Sequence, residues 1–345
     1  MKNPTLHDVA ALAGVSYATA DRVVNRRGNV AEKSVRKVND AVAQLGYVRN
    51  IAAAKLSKSR HHHLAFVLPD KSHDFFGRMH DQLAAAALHL KTAGVVLDVI
   101  EFEAFDARAL EQALSGLIGK NYDGVAFVGQ GLDKFSTSLT ALRAEGTKIV
   151  TLVSDVPENN RDHYIGIDNV KAGRTAGRLI GFSHGGKPGH VVLTAGSLDL
   201  RDHSDRINGF REVIEADFPN IGISEVIETK DQAELMQQSL HQNLSDASPI
   251  TAIYNAGAGN EGLVRALRER DPDGAIFCIV HELSTTVCDA LQDGFVDVAL
   301  DQRPEIEMNR ALALLQAIAD EMPPPPSPEL IPAIYVRDNL PTEMN

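Results

Sequence analysis

Polar residues that directly follow short apolar runs are this chain's clearest candidates for small-molecule chemistry. His73 lies in Pro69-Asp-Lys-Ser-His-Asp-Phe-Phe76, just beyond the run from Leu64 to Leu68, and brings the aromatic pair Phe75 and Phe76 with it. Asp168 follows the run from Tyr164 to Ile167, Asn255 the run from Ile250 to Tyr254, Glu282 the run from Ile276 to Val280, and Gln302 the run from Val298 to Leu300. Fixed amides and carboxylates beside aromatic rings suit a sugar or polyol, whose hydroxyls need donors and acceptors at set positions. The same region admits a second reading. Gly257-Ala-Gly259-Asn-Glu-Gly262 is a G-x-G-x-x-G after an apolar run, and Glu282 lies about 20 residues on, where a dinucleotide fold places its ribose-binding acid. On that alternative the chain is an NAD-dependent oxidoreductase working through Gly257, Gly259, Gly262 and Glu282. Against it, the unit falls late in the chain and the same residues fit a sugar cleft.

Other chemical signals are weaker. Ser34-Val-Arg-Lys37 has the count of a serine–lysine nucleophile but falls in a short amphipathic helical pattern. His61, His62 and His63 could meet a metal, yet an exposed linker lacks the outer partners that orient ligating rings. No Cys/His set has zinc-finger spacing. The expectation is therefore no metal, no cofactor and no catalytic group.

The strand-end candidates need a scaffold, and the chain supplies one from Leu64 onward. Short continuous apolar runs alternate with helical patterns, which implies parallel strands covered on both faces. Ten or so such units divide into two doubly wound lobes, an α/β body over residues 64–345. Lobe 1 is expected over about 64–163 plus 302–325, and lobe 2 over about 164–301 plus 326–345. Ligands of such bodies sit at the carboxyl ends of the strands, where every polar candidate above falls. Pro323–Pro326 reads as a stiff surface connector. At 345 residues with 44% apolar content, two or three domains are expected. No stretch approaches the roughly 18 apolar residues of a membrane span, and no apolar leader opens the chain. Cys278 and Cys288 sit in apolar patterns and read as buried thiols of a reducing compartment, so cytoplasm is the expected location.

Residues 1–60 have a different texture. Thr5-x-x-Asp8 is a helix-start signal, followed by Leu6, Val9, Ala10 and Ala13 at helical spacing and by Gly14 at a corner. Ser16 can cap a second helix with Ala20, Val23 and Val24 inward and Tyr17, Ala18, Arg22, Asn25 and Arg26 outward. A third helix is expected from Glu32 to Leu45, closed by Gly46. Two helices at a glycine corner with a polar outer face on the second form a helix-turn-helix, which implies duplex DNA as a partner. Net charge is −12 for the whole chain, but residues 1–60 hold eleven Lys/Arg and four Asp/Glu. A basic head on an acidic body is the asymmetry expected of a DNA-binding protein. The expected boundaries are a three-helix head at 1–49 and a hinge and linker at 50–63. A body of transport-protein type alone, from the secreted class, would leave residues 1–60 unexplained.

The strings Thr-Leu-His-Asp-Val-Ala-Ala-Leu-Ala-Gly-Val-Ser from Thr5, Arg22-Val-Val-Asn25, the segment from Val30 to Gly46 and the hinge ending at Leu56 closely resemble the lactose-repressor (LacI/GalR) family. The resemblance covers nearly the whole chain and implies a body of periplasmic sugar-binding-protein type. It implies that Tyr17, Ala18 and Arg22 meet base edges, that Leu56 wedges into the minor groove, and that Thr5, Ser16, Thr19, Asp21, Asn25, Asn50 and Ala53 complete the DNA-contacting set. Arg can pair bidentately with guanine and Ala can touch a thymine methyl, and an inserted leucine kinks the duplex. In the body it implies that Phe75 and Phe76 stack on a sugar and that Arg206, in Asp205-Arg-Ile-Asn-Gly-Phe210, binds the effector. Asp21 departs from the family's usual serine, so it either accepts from a cytosine amine or orients an arginine. A two-fold operator implies a homodimer, and no leucine heptad tail suggests a tetramer. The function implied is a cytoplasmic transcription regulator, a repressor by the commoner sign, controlled by a sugar or polyol-like effector.

Overall fold

The computed structural model describes residues 4–24, 30–47, 61–131, 136–244 and 250–342. They fall into two compact units that divide after His61. Asn25, Asn50, Ala53 and Leu56, and with them the expected hinge, lie outside the described residues.

The first unit contains three helices: α1 (Leu6–Ala13), α2 (Tyr17–Val24) and α3 (Glu32–Leu45). Val9, Ala10, Ala13, Ala20, Val38 and Ala41 form its buried core, with Leu6, Val15, Val23, Val24, Val42, Leu45 and Tyr47 packed around them. Gly14 and Gly46 end α1 and α3 with φ of 62° and 59°, a backbone conformation that costs glycine least. Burial contributes only about 25 cal/mol per Å². A core of alanines and valines this small therefore depends on its helix caps.

The second unit carries two sheets. The first contains β1 (His62–Pro69), β2 (Val95–Phe102), β3 (Gly124–Val128), β4 (Lys148–Leu152) and β5 (His163–Ile165), in the order β2-β1-β3-β4-β5 and parallel throughout. The second contains β6 (Gly189–Ala195), β7 (Ile221–Glu228), β8 (Ala252–Asn255), β9 (Phe277–His281), β10 (Val298–Asp301) and β11 (Ala333–Tyr335), in the order β11-β10-β9-β8-β6-β7. Its strands are parallel except β11, which runs antiparallel to β10. Helices α4 (Asp74–Thr92), α5 (Ala107–Ser115) and α6 (Thr137–Ala144) follow β1, β2 and β3. Helices α7 (Asn169–His184), α8 (Arg201–Asp217), α9 (Ala233–Asn243), α10 (Asn260–Arg270) and α11 (Thr285–Asp293) accompany the second sheet. Helix α12 (Pro304–Ala319) leaves the second sheet and packs Met308, Ala311 and Leu315 into the core of the first with Leu64, Phe66 and Val150. Strand order reverses at β1 in one sheet and at β6 in the other, and these reversals open crevices at the strands' carboxyl ends.

Two boundaries differ from the expectation. The linker was expected to run to 63, but His62 and His63 open β1, in register with Val95 and Val96. The His62 ring meets Asp320 at 2.9 Å and the His63 ring meets Asp98 at 2.9 Å. These pairings turn a polar, basic stretch into strand. The chain was also expected to change lobes at 164, yet Tyr164 and Ile165 are still strand β5 of the first sheet.

Candidate functional sites

In the head, polar side chains divide into those used locally and those left outward. Thr5 and Asp8 form a reciprocal cap: the Asp8 amide donates to Thr5 Oγ1 (3.3 Å) and the Thr5 amide to Asp8 Oδ2 (2.8 Å). Ser16 Oγ accepts from the Thr19 amide (3.1 Å) and meets Thr19 Oγ1 at 2.9 Å. Ser16 and Thr19 thereby start the second helix of the motif. Tyr17, Ala18 and Arg22 are exposed on α2, and the Tyr17 ring lies 4.5 Å from His7. Asp21 is half-buried on the same helix.

In the body, buried charges converge from both lobes. Arg206 on α8 is only 2% exposed; its Nε donates to Asn169 Oδ1 (2.8 Å) and its Nη1 to the Ala256 carbonyl (2.9 Å). Gln302 Nε2 donates to Glu282 Oε1 at 2.6 Å. Glu307, on the first turn of α12, is fully buried, and the charges of Glu282, Arg206, Asp301 and Asp202 act on it. Arg206 Nη2, Glu282 Oε2, Gln302 Oε1, Asp202 Oδ1, Gln130 Nε2, His281 Nδ1 and both Glu307 carboxylate oxygens find no hydrogen-bond partner among the described residues. Burial, with Asp301 nearby, pushes the Glu282 carboxyl up to about 8, and burial beside Glu282 pushes Glu307 well above the carboxylate range. Burial, then Arg206, holds His281 well below the usual histidine range.

A cavity of about 230 Å³ lies beside this group and shares Glu282 with it. His73, Phe75 and Arg78 line it from the first lobe, and Asp231, Asn260 and Glu282 from the second. Its wall is strained, because Glu282 and Asp231 hold φ of 69° and 56° without being glycine. Arg78 ties the two sides together: its Nε and Nη2 reach Glu305 at 2.7 and 2.9 Å, and its Nη1 reaches Asp301 at 3.3 Å.

His73, Arg206, Glu282 and Gln302 thus fall in or beside one cleft. Phe75 lines the 230 Å³ cavity but is 4% exposed and belongs to the first lobe's core, while Phe76 packs partly buried against that core. His73 caps α4, its Nδ1 accepting from the Phe75 amide at 3.2 Å. Asn255 is not available to a ligand. Its Oδ1 accepts from Thr194 Oγ1 and the Gly257 amide, and its Nδ2 donates to the Ala258 carbonyl and Asn260 Oδ1, so both ends of the amide are filled. Asp168 caps α7 through the Lys171 amide and lines a second cavity of about 450 Å³ with Asp155, Asn169, Arg201, Asp202 and Asp205, so Asn169 and Asp202 stand between this cavity and Arg206. Sequence reasoning missed Glu307, Asp202, Arg78 and Asp231. None follows an apolar run closely, and only an unpaired acid on the buried side of an amphipathic helix could have pointed to Glu307.

The glycine-rich turn has a structural task in place of a dinucleotide site. The Ala258 amide donates to Asp231 Oδ1 at 2.7 Å, so a carboxylate already stands where a pyrophosphate would need backbone donors. A Cβ on Gly257 would come within 2.6 Å of that same oxygen, and one on Gly262 within 1.8 Å of the Ala233 carbonyl. Of the two Glu282 oxygens, Oε1 is already engaged by Gln302 Nε2. These glycines admit close packing of α10 on the preceding loop and α9.

Residues 5–50 match the lacI family of bacterial regulatory proteins, and residues 64–322 match the periplasmic binding protein domain. The chain belongs to the periplasmic binding protein domain family, and its head is a lacI-family domain. It is 28% identical over 253 residues to the HTH-type transcriptional regulator DegA of Bacillus subtilis, covering 72% of each chain. It is 25% identical over 300 residues to catabolite control protein A of Staphylococcus epidermidis, covering 86% of this chain and 80% of that one. Its fold is shared with an ABC-transporter solute-binding protein of Burkholderia graminis in complex with D-arabinose (TM-score 0.74, 21% identity, 82% of this chain and 97% of that one). It is shared also with GanP, a glucose-galactose binding protein of Geobacillus stearothermophilus (TM-score 0.71, 20% identity, 82% and 99%). With its lacI-family head, the chain is a DNA-binding transcriptional regulator with a periplasmic-binding-protein-like body. No helix among the described residues is long and apolar enough to cross a membrane.

Proposed function

We propose that this regulator is a homodimeric, cytoplasmic, non-enzymatic repressor whose operator affinity is set by a sugar or polyol-like effector held between the body lobes. The observation that carries the reading is the convergence of unpaired buried donors and acceptors on one cleft, from Arg206, Glu282, Gln302 and Glu307. Groups this costly to bury are stable in a protein that has a polar ligand to meet them. The body shares its fold with a solute-binding protein solved in complex with D-arabinose, which supports the same class. His73, Phe75 and Arg78 form the near wall, and Arg206, Glu282 and Gln302 contact the effector's hydroxyls. Tyr17, Ala18 and Arg22 read bases in the major groove, and Thr5 and Ser16 hold the helices that present them. Exposed Leu88 on α4 with Val96 and Val99 on β2 offers apolar surface for self-association. Effector contacts that differ between lobe arrangements would then shift operator affinity.

A thermal-shift screen of the intact chain against pentoses, hexoses and polyols, followed by operator binding with and without the hit, tests this. The expected result is a saturable shift with one compound class and a change of operator affinity with the same compound. A saturable micromolar fluorescence signal with NADH, and none with any polyol, would replace the reading with the oxidoreductase.

A further inference from the structure

We infer that the segment 153–156, just past β4, is a latch between the lobes. In it Ser154 of the first lobe caps helix α8 of the second, and so holds the lobes in the arrangement that brings the cleft groups together. The latch rests on contacts within the body; its consequence for effector binding rests on the reading above.

Three hydrogen bonds run from the second lobe to this segment. Asn169 Nδ2 donates to the Val153 carbonyl, the Asp202 amide to Ser154 Oγ, and Arg201 Nη1 to the Val156 carbonyl, each at 3.4 Å. Val153 and Val156 are packed in the cores of the first lobe, whereas Asn169 opens α7, and Arg201 and Asp202 open α8. Helix α8 has no cap of its own, because its N-cap residue Leu200 makes no side-chain hydrogen bond. The first amides of a helix have no partner inside it, and a serine oxygen at the helix start commonly takes one. Here the serine comes from 48 positions away and from the opposite lobe. Arg206 lies one turn further along α8, so the cap anchors the helix that presents it.

The first lobe holds Ser154 in place from behind. Ser154 is 3% exposed, and its carbonyl accepts from the Gly129 amide at 2.9 Å. A Cβ on Gly129 would lie 2.4 Å from that same oxygen, so the approach needs glycine. Val153 holds φ of 61°, which a β-branched residue rarely adopts. Its amide donates to the Ile165 carbonyl at 3.1 Å and its own carbonyl accepts from the Tyr164 hydroxyl at 2.8 Å. Strain held this firmly by its neighbours collects at clamps and switches. The three bonds to the second lobe are longer than the ordinary length of about 2.9 Å, so a slight parting of the lobes takes all three out of range together.

Ser154→Ala removes the cap and touches neither cavity, since Ser154 lines neither. Hydrogen exchange on the intact, ligand-free protein reads the latch directly. Exchange in S154A should rise about fivefold over residues 200–206 and 153–156, the equivalent of one lost cap, and stay unchanged in α10. The second measurement is titration with D-arabinose, D-ribose, D-glucose, D-galactose and D-glucitol. For whichever binds, S154A should weaken affinity about fivefold and move the midpoint of its effect on operator binding equally, with both end values unchanged. S154T keeps the hydroxyl and should stay within about twofold of the unaltered protein in both measurements. Unchanged exchange over 200–206 in S154A, or an equal rise in S154T, would overturn the latch. Raised exchange with an unshifted affinity for the bound sugar would overturn its role in effector binding. If no sugar binds the unaltered protein, the effector reading falls while the exchange result still decides the latch.

Discussion

The head and the cleft use polar side chains in opposite ways. In the head, hydrogen-bonding partners are three residues apart, as in Thr5–Asp8 and Ser16–Thr19, and each closes a helix start. In the cleft they come from distant segments: Arg206 meets Asn169, Gln302 meets Glu282, and Arg78 meets Glu305 across 227 positions. Several cleft groups are buried and still unpartnered. The head therefore uses its polar residues to stabilise a minimal core and reads its target with what stays exposed. The cleft holds polar groups at a cost to stability, and that cost is what makes them available to a ligand.

The largest expected effect tests this contrast at its centre. Arg206→Met should destabilise the body by about 3–5 kcal/mol in urea unfolding, because it strands buried carboxylates without their cation. It should abolish effector response while salt-sensitive, non-specific retention of DNA persists. A cost near zero would mean that Arg206 is not the brace of the cleft. Next comes Gly173→Ala on α7. A Cβ there would lie 1.9 Å from the Arg206 carbonyl, so α7 and α8 must part, and a loss of about 1–3 kcal/mol is expected in the same assay.

Ser16→Ala sharpens the other side of the comparison. Losing the cap should cost about 1 kcal/mol of head stability and weaken binding to every operator variant alike, with effector affinity unchanged. An altered base preference would instead place Ser16 on the DNA. The pH profile tests the cleft from another side. Glu282 takes its proton near 8 in the fold and near its ordinary 4.5 when unfolded, so the native state binds the extra proton between those values. Its contribution is complete below about pH 4.5 and is lost as pH rises through 8. The melting temperature of E282Q should consequently fall less between pH 5 and pH 8 than that of the unaltered protein, and equal slopes would remove Glu282 from the account.

Legibility in the sequence follows the same division. Leu6, Val9, Ala10 and Ala13, with glycines at 14 and 46, disclose the head because its contacts are local and periodic. The parallel sheets are legible too, since their strands are continuous apolar runs. The cleft is legible only where a polar residue ends such a run, as with Glu282 and Gln302. Asn255 ends one as well, yet Thr194 and Asn260 satisfy it, and the spacing between these residues gives no sign of that. Glu307 reads as an ordinary helix acid until the packing of α12 on the first sheet buries it. Strand β11 is three residues long and pairs antiparallel, against the pattern of everything before it.

The chain passes between its two sheets three times: after β5, between β10 and α12, and between α12 and β11. Ile167 and Leu330, on the first and last of these passages, are themselves paired in parallel. One tether would let the lobes wander, and two would let them roll about the line joining them. Three side-by-side tethers act as a leaf spring that resists shear and torsion and yields most readily to bending. Whatever enters the cleft thus has a single soft coordinate to push against, and the work it does emerges as rotation about one axis.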